Sequence, residues 1–261
     1  MDKIDSITKL AVVGNTKLTL EGIKGILELG DKEICYVFGL KDENLPSKVN
    51  SVSLDEFCTN NKITLDKSEN WDNCYNFCKD QDVGLIITLG DSRIVPKKII
   101  NSFEVIGNHG AILPYVQGGA SLVWGRILNS GVWGVSMMRI GERVDGGDIL
   151  KTEIFTYDPF TTTEEEFTTM ADDLTVTLLT ELLKGNYSSR QNTKWDVRIS
   201  KHTDSYKTIE FLRYCLANDL CIYLPPRIPS DGLIKNEWPS DFIKAFKIAN
   251  DHPYPKWSEN E

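Results

Sequence analysis

The chain has 261 residues, enough to bury a full core as one large domain with a smaller one beside it. Its formal charge of −9, from 29 Lys and Arg against 38 Asp and Glu, argues against the clustered basic surface that nucleic-acid backbones require. No apolar run approaches the length of a membrane span, and the polar first nine residues do not resemble a signal peptide, so the chain reads as cytoplasmic and free of the membrane.

In chain order, residues 10–13 predict a short buried strand closed by Gly14. Residues 18–29 carry Leu20, Ile23, Ile26 and Leu27 at helical spacing, with Gly30 as a stop. Residues 33–40 predict a second strand, and 41–70 a polar loop broken by Pro46 with a short helix at 53–60. A helix over 71–80 and a buried strand over 83–89 follow. A helix beginning at 96–101, a strand at 103–106, a helix at 120–129 and a strand at 133–140 come next, the last pairing as a hairpin with 149–156. Residues 163–183 predict a long helix and 184–197 a polar linker. Beyond it lie a helix at 206–217, a strand at 220–224 and a Pro-rich turn at 225–229. The alternation of β and α predicts a Rossmann-like α/β fold, a mostly parallel sheet with helices on both faces, plus a small C-terminal α+β subdomain. The division expected is 1–190 and 191–261.

Six cysteines (35, 58, 74, 78, 215, 221) show no C-x-x-C spacing, and His109 is the only histidine before residue 202, so packing thiols are expected and no metal. The lone Gly14 is not the G-x-G-x-x-G of a dinucleotide site. The chemistry concentrates instead at 107–148. His109 follows an apolar run and precedes Gly110-Ala111; Asp145 lies 36 residues later in Val144-Asp145-Gly146-Gly147-Asp148. A His and an Asp leaving two strand ends next to glycines can converge at the carboxyl edge of a parallel sheet and act as one acid/base unit. Each also has a structural role open to it: a strand-end histidine can be a hydrogen-bonded packing group, and glycine-flanked aspartates such as Asp148 commonly hold turns.

Residues 84–150 resemble the catalytic domain of the formyltransferases that use 10-formyltetrahydrofolate, the group that includes methionyl-tRNA, glycinamide ribonucleotide and nucleotide-amino-sugar enzymes. Their pattern is N-x-H-x-[SA]-x-L-P, then x-x-[RK]-G, a helix with a tryptophan, and L-D-x-G-D-I. Here His109-Gly110-Ala111-Ile112-Leu113-Pro114, Gly118, Trp124 and Val144-Asp145-Gly146-Gly147-Asp148-Ile149 fall in register. Leu85-Ile86-Ile87 with Ser92-Arg93-Ile94-Val95-Pro96 is similar to the strand and loop that hold the pterin. A looser likeness covers Pro226-Arg227-Ile228-Pro229-Ser230-Asp231-Gly232, Trp238 and His252-Pro253-Tyr254-Pro255.

The resemblance implies an N-formyltransferase with 10-formyltetrahydrofolate as co-substrate, and by likeness alone a homodimer. It implies His109 and Asp145 as catalytic groups and Ser92, Arg93, Ile94, Arg143, Val144 and Asp145 at the folate, backbone groups of Ile94 and Arg143 gripping the pterin. Arg93 is by default solvated, with contact to the folate tail as the alternative. One departure matters. The catalytic Asn of the pattern falls on Gly107, and the Asn here is Asn108, one residue late, which in an extended strand points to the opposite face. Three readings stay open: Asn108 reaches the site through a bulge, another donor such as Asn129 or a backbone N–H replaces it, or transfer activity has been lost. Gln117 stands where Arg or Lys is common.

Formyl transfer develops an oxyanion and a positive nitrogen. A protonated His109 suits the first, favoured by a nearby carboxylate, and Asp145 can take the amine's surplus proton. The acidic chain argues against transfer RNA as acceptor, leaving a small-molecule amine. Tyr115 and Trp238 could stack on a nucleotide base, and Arg227 or Arg126 could meet a pyrophosphate, with Gly118 beside the substrate. An amino sugar, nucleotide-linked, is the acceptor expected; another small amine, or a folate- or sugar-nucleotide-binding protein without catalysis, are the alternatives.

Overall fold

The apolar run after Lys9 forms β1 (Lys9–Val13), interior along nearly its whole length, as expected of a parallel strand covered on both faces. The computed structural model describes residues 4–199, 204–251 and 257–259. After β1, Thr16 caps α1 (Lys17–Glu28) by accepting from the Thr19 N–H while the Thr19 hydroxyl accepts from the Thr16 N–H. Strand β2 (Glu33–Phe38), α2 (Asp55–Asn60), the short β3 (Thr64–Asp66) and α3 (Trp71–Asp80) follow. Then come β4 (Leu85–Thr88), the single turn α4 (Lys97–Ile100) and β5 (Glu104–His109).

These strands, with β7 (Val132–Arg139) and β8 (Ile149–Thr156), make a seven-stranded sheet in the order β3-β2-β1-β4-β5-β7-β8. The pairs β1–β2, β1–β4, β2–β3 and β4–β5 are parallel. The chain winds outward from β1 through β2 to β3, then returns to lay β4 and β5 on the other side. The carboxyl ends of β1 and β4 therefore bound a switch point, where open α/β sheets place ligands. Strand β6 (Val116–Gly118) belongs to a second sheet, β6-β10-β9, with β9 (Val197–Arg198) and β10 (Ile222–Leu224), all parallel. The remaining helices are α5 (Ser121–Leu128), α6 (Glu164–Leu183), α7 (Ser205–Ala217) and α8 (Ser240–Ala249).

Two compact units emerge, each assembled from separate stretches. One comprises Met1–Asn108, Met137–Lys151 and Thr175–Arg190; the other comprises His109–Ser136, Thr152–Leu174 and Gln191–Glu261. Neither unit is one continuous stretch: His109–Ser136 and Thr152–Leu174 group with Gln191–Glu261. The reason is packing. Trp124, Ile127 and Trp133 share one apolar cluster with Ile209, Leu212, Trp238 and Phe246, a grouping that linear sequence conceals. In the first unit a separate cluster gathers Tyr36, Phe38, Val83, Ile86 and Val105 with Cys74 and Cys78, which are fully buried and unbridged. Among the described residues no helix is long and apolar enough to cross a membrane, and no three His, Cys, Asp or Glu side chains gather as a metal set.

Two differences from the sequence expectations bear on the site. Strand β5 runs three residues past 106, so Asn108 and His109 lie within it. Strand β6 was not expected at all: three residues are too few to show a period, and β10 recruits them from a hundred residues away.

Candidate active site

In the first unit, the register between β4 and β5 is continuous from Leu85 opposite Glu104 to Thr88 opposite Gly107. No bulge interrupts it there. Alternation along β5 then sends Asn108 to the face opposite that of residue 107. The Asn108 Oδ1 accepts from the Gly90 N–H at 3.1 Å, tying the end of β5 to the turn after β4. Its Nδ2 has no partner among the described residues. Gly107 is a glycine for a steric reason. A Cβ there would lie 2.2 Å from Thr88 Oγ1 and 2.9 Å from Ile140 Cδ1, and the Thr88 hydroxyl itself donates to Ile106 O at 3.3 Å. The volume that an Asn at 107 would enter is filled by Thr88 and Ile140.

On the loop after β4, Arg93 is not a solvated arginine. Its Nη2 pairs with Asp91 at 2.7 Å and donates to Phe38 O at 3.0 Å, Nη1 donates to Gly39 O at 2.9 Å, and the guanidinium lies 4.6 Å from the Phe38 ring centre. It closes the carbonyls at the end of β2 and leaves little of itself for a ligand. Ser92 is exposed and accepts from Lys48 Nζ. Ile94 is 71% exposed, and Val144, on the loop after β7, is 45% exposed. Ile94, on the loop leaving β4 at the switch point, and Val144, beyond β7, are apolar side chains held out on loops, surface that a flat heteroaromatic ligand could cover. Gly146 N–H donates to Arg143 O at 3.0 Å, closing a turn with Asp145 at φ 50°, and Arg143 Nη2 reaches Gly146 O at 3.4 Å. The turn thus fixes the backbone from which the Asp145 carboxylate projects.

In the second unit, His109 is buried at 6% exposure, and its Nε2 lies 3.0 Å from Val116 O. A carbonyl only accepts, so Nε2 carries a proton, and any proton exchanged with a ligand is held on Nδ1. This hydrogen bond fixes both ring orientation and tautomer. Tyr115 is 38% exposed, and its carbonyl accepts from Ile222 N–H at 2.8 Å. Gly118, at φ 103°, has no room for a side chain: a Cβ would lie 2.0 Å from Leu224 O, so it serves the β6–β10 approach. Gln117 is fully buried, its Nε2 donating to Pro114 O and Thr193 O at 3.0 Å each.

Several expected substrate residues are structural instead. Trp238 is buried against Phe242 and Phe246, with its Nε1 donating to Asp204, so it offers no face to a base. The Arg227 guanidinium stacks on Trp124 and Phe246 and donates to Asn250 Oδ1 and Asp231 O. Arg126 is fully buried, donating to Asn129 Oδ1 at 2.8 Å and Thr162 O at 2.7 Å. That bond also engages the Asn129 carboxamide as an acceptor. Packing of these long cations against aromatic rings is hidden in the sequence, because composition marks them as surface. The expected segment at 252–255 lies outside the described residues.

No protein-family model matches the chain. A methionyl-tRNA formyltransferase of Fusobacterium nucleatum is 25% identical over 195 residues, 71% of this chain and 62% of its own length. In sequence the chain is thus similar to methionyl-tRNA formyltransferases. It spans under two thirds of that curated relative's length. The methionyl-tRNA formyltransferase of Clostridium thermocellum superposes with a TM-score of 0.61 at 16% identity, over 98% of this chain and 88% of its own. An N-formyltransferase of Helicobacter canadensis, solved with folinic acid and dTDP-3-aminofucose, gives 0.59 at 16% identity over 93% and 80%. At such identity the likeness is one of fold, and the fold is the Rossmann-like sheet described above. The departures from the motif at Gly107 and Gln117 each coincide with a position where the packing accounts for the residue found.

Proposed function

We propose that this chain moves a formyl group from 10-formyltetrahydrofolate to the primary amine of an amino sugar carried on a nucleotide. The observation that carries the reading is His109, buried within the motif His109-Gly110-Ala111-Ile112-Leu113-Pro114 of a formyltransferase relative, with its ring locked by Val116 O. The acceptor amine attacks the formyl carbon, giving a tetrahedral intermediate with negative oxygen and positive nitrogen. Nδ1–H of a protonated His109 donates to that oxygen, and the Asp145 carboxylate takes the proton that the nitrogen sheds, directly or through one water. The bond from the formyl carbon to the folate nitrogen then breaks as the oxyanion collapses to the carbonyl, and that nitrogen leaves as tetrahydrofolate with the proton that Asp145 had taken. Ile94 and Val144 offer apolar surface for the pterin, with backbone groups of Ile94 and Arg143 at its polar edge. A small acceptor fits a chain of net charge −9 better than transfer RNA does. The Helicobacter canadensis enzyme, solved with an amino sugar on dTDP, supports that choice.

A second reading is favoured by one observation. The space for an Asn side chain at 107 is taken by Thr88 and Ile140, which fits a folate- or sugar-nucleotide-binding homologue that has lost transfer. Tetrahydrofolate release, followed spectroscopically with 10-formyltetrahydrofolate and a panel of amines, separates the two. Turnover on an amino sugar nucleotide supports the transferase; folate binding with no turnover on any amine supports the second reading. Turnover that survives in both His109→Ala and Asp145→Asn ends the mechanism.

A further inference from the structure

The sheet β6-β10-β9 has two unlike faces. Val116, Ile222 and Val197 pack into or against the apolar cluster of the second unit. Cross-strand register then sets Gln117, Tyr223 and Arg198 side by side on the other face. Gln117 pins the segment through Thr193 to β6 by its bond to Thr193 O, and Trp195 reaches over Tyr223 with ring centres 5.0 Å apart. The Arg198 guanidinium sits 5.1 Å from the Tyr223 ring and 5.7 Å from Trp195, and Lys194 Nζ lies 5.2 Å over Trp195.

Among the described residues neither Lys194 nor Arg198 has a carboxylate partner. The nearest acid in sequence, Asp196, accepts from Cys221 N–H at 2.8 Å. Two uncompensated cations on two aromatic rings run against the composition of a chain with net charge −9. A guanidinium stacked on rings presents its N–H edge to an anion, and the half-exposed rings of Trp195 and Tyr223 offer surface to a second π-system. Stacking surface and paired cations within one small patch match a base and a short phosphate chain; a nucleic-acid backbone would need many more cations.

We propose that this face binds the nucleoside diphosphate portion of the acceptor, with Trp195 and Tyr223 receiving the base and Arg198 and Lys194 the phosphates; the assignment as an acceptor subsite rests on the transferase reading. The spacing agrees. His109 holds the carbonyl of Val116 on β6, and neighbouring strands lie about 4.8 Å apart, so β9 lies about 10 Å beyond β6. A sugar ring and diphosphate bridge a gap of that order between amine and base.

Calorimetric titration of the full chain with dTDP and UDP, and with thymidine and inorganic pyrophosphate separately, tests the subsite. Diphosphates should bind, Arg198→Gln should weaken them tenfold or more while leaving thymidine little changed, and Trp195→Ala should weaken both. Arg198 is exposed, so Arg198→Gln carries the test if Trp195→Ala does not fold. No binding of either diphosphate at millimolar concentration, binding untouched by these substitutions, or preference for a short RNA overturns the proposal. Tetrahydrofolate release run in parallel keeps the two readings apart. Turnover on a simple amine without diphosphate binding removes the subsite and leaves the transferase, whereas binding that depends on Arg198 without turnover on any amine does the reverse.

Discussion

Thr88 Oγ1 stands where a side chain at 107 would have to start, 2.2 Å from the position of a Cβ. Restoring the motif by Gly107→Asn should therefore destabilise the chain, by about 1–3 kcal/mol for overpacking of this kind, rather than raise its activity. Thr88→Gly combined with Gly107→Asn should recover part of that loss, and thermal melts of the three variants read it directly. At the positions proposed to be catalytic, His109→Ala should slow tetrahydrofolate release by roughly two orders of magnitude or more, the scale of losing one donor aimed at an oxyanion, and Asp145→Asn by a comparable factor, the scale of losing a general base. Single-turnover rates check this without interference from product release. Arg93 offers a contrast. Arg93→Lys keeps the charge but cannot reach Asp91, Phe38 O and Gly39 O together, so it should cost about 2–3 kcal/mol in urea unfolding. The motif residues around His109 could be read from sequence because their spacing is their signal. The locking of its ring by Val116 O could not, since that contact depends on β6, which no local pattern announces.

At the scale of elements, the first turn of α6 carries Glu164 into the interior beside Arg126, both fully buried, with Glu164 Oε2 3.7 Å from Arg126 Nε and neither Glu164 oxygen hydrogen-bonded among the described residues. Burial outweighs the attraction of Arg126 and pushes the Glu164 carboxyl up to about 8. An acid whose folded pKa lies above its unfolded value of 4.5 keeps its proton longer when folded. Its contribution is therefore present below about pH 4.5 and is lost as pH rises toward about 8, with a slope of at most about 1.4 kcal/mol per pH unit. Denaturant unfolding at pH 5.5 and 8.5 should show the wild type losing more stability across that interval than Glu164→Gln; equal losses would exclude the carboxyl. Periodicity announced the helix itself, observed as Glu164–Leu183 against 163–183 expected, and likewise α3 and β8. It said nothing of Glu164 facing Arg126, because an acid in a first helical turn reads equally well as a solvated cap.

For the molecule as a whole, charge sets the expectation about acceptors. With 38 acids against 29 bases, methionyl-tRNA should not be formylated at low micromolar concentration and 0.15 M salt, and an acid-precipitation assay with charged tRNA decides it. Length, charge, the β/α alternation and the His–Asp spacing were all available from sequence, since each is a property of composition or of short-range periodicity. What tertiary structure alone decided is the grouping of distant stretches. It put His109–Ser136 with the C-terminal third, buried Trp238 and Arg126 where their chemistry suggested a surface, and packed the half-buried Arg227 onto Trp124 and Phe246. It also drew Tyr223 and Arg198 into register with Gln117. Each of these outcomes is a pairing between chain segments tens of residues or more apart, chosen by the apolar area it buries, and that competition is invisible until the whole chain is packed.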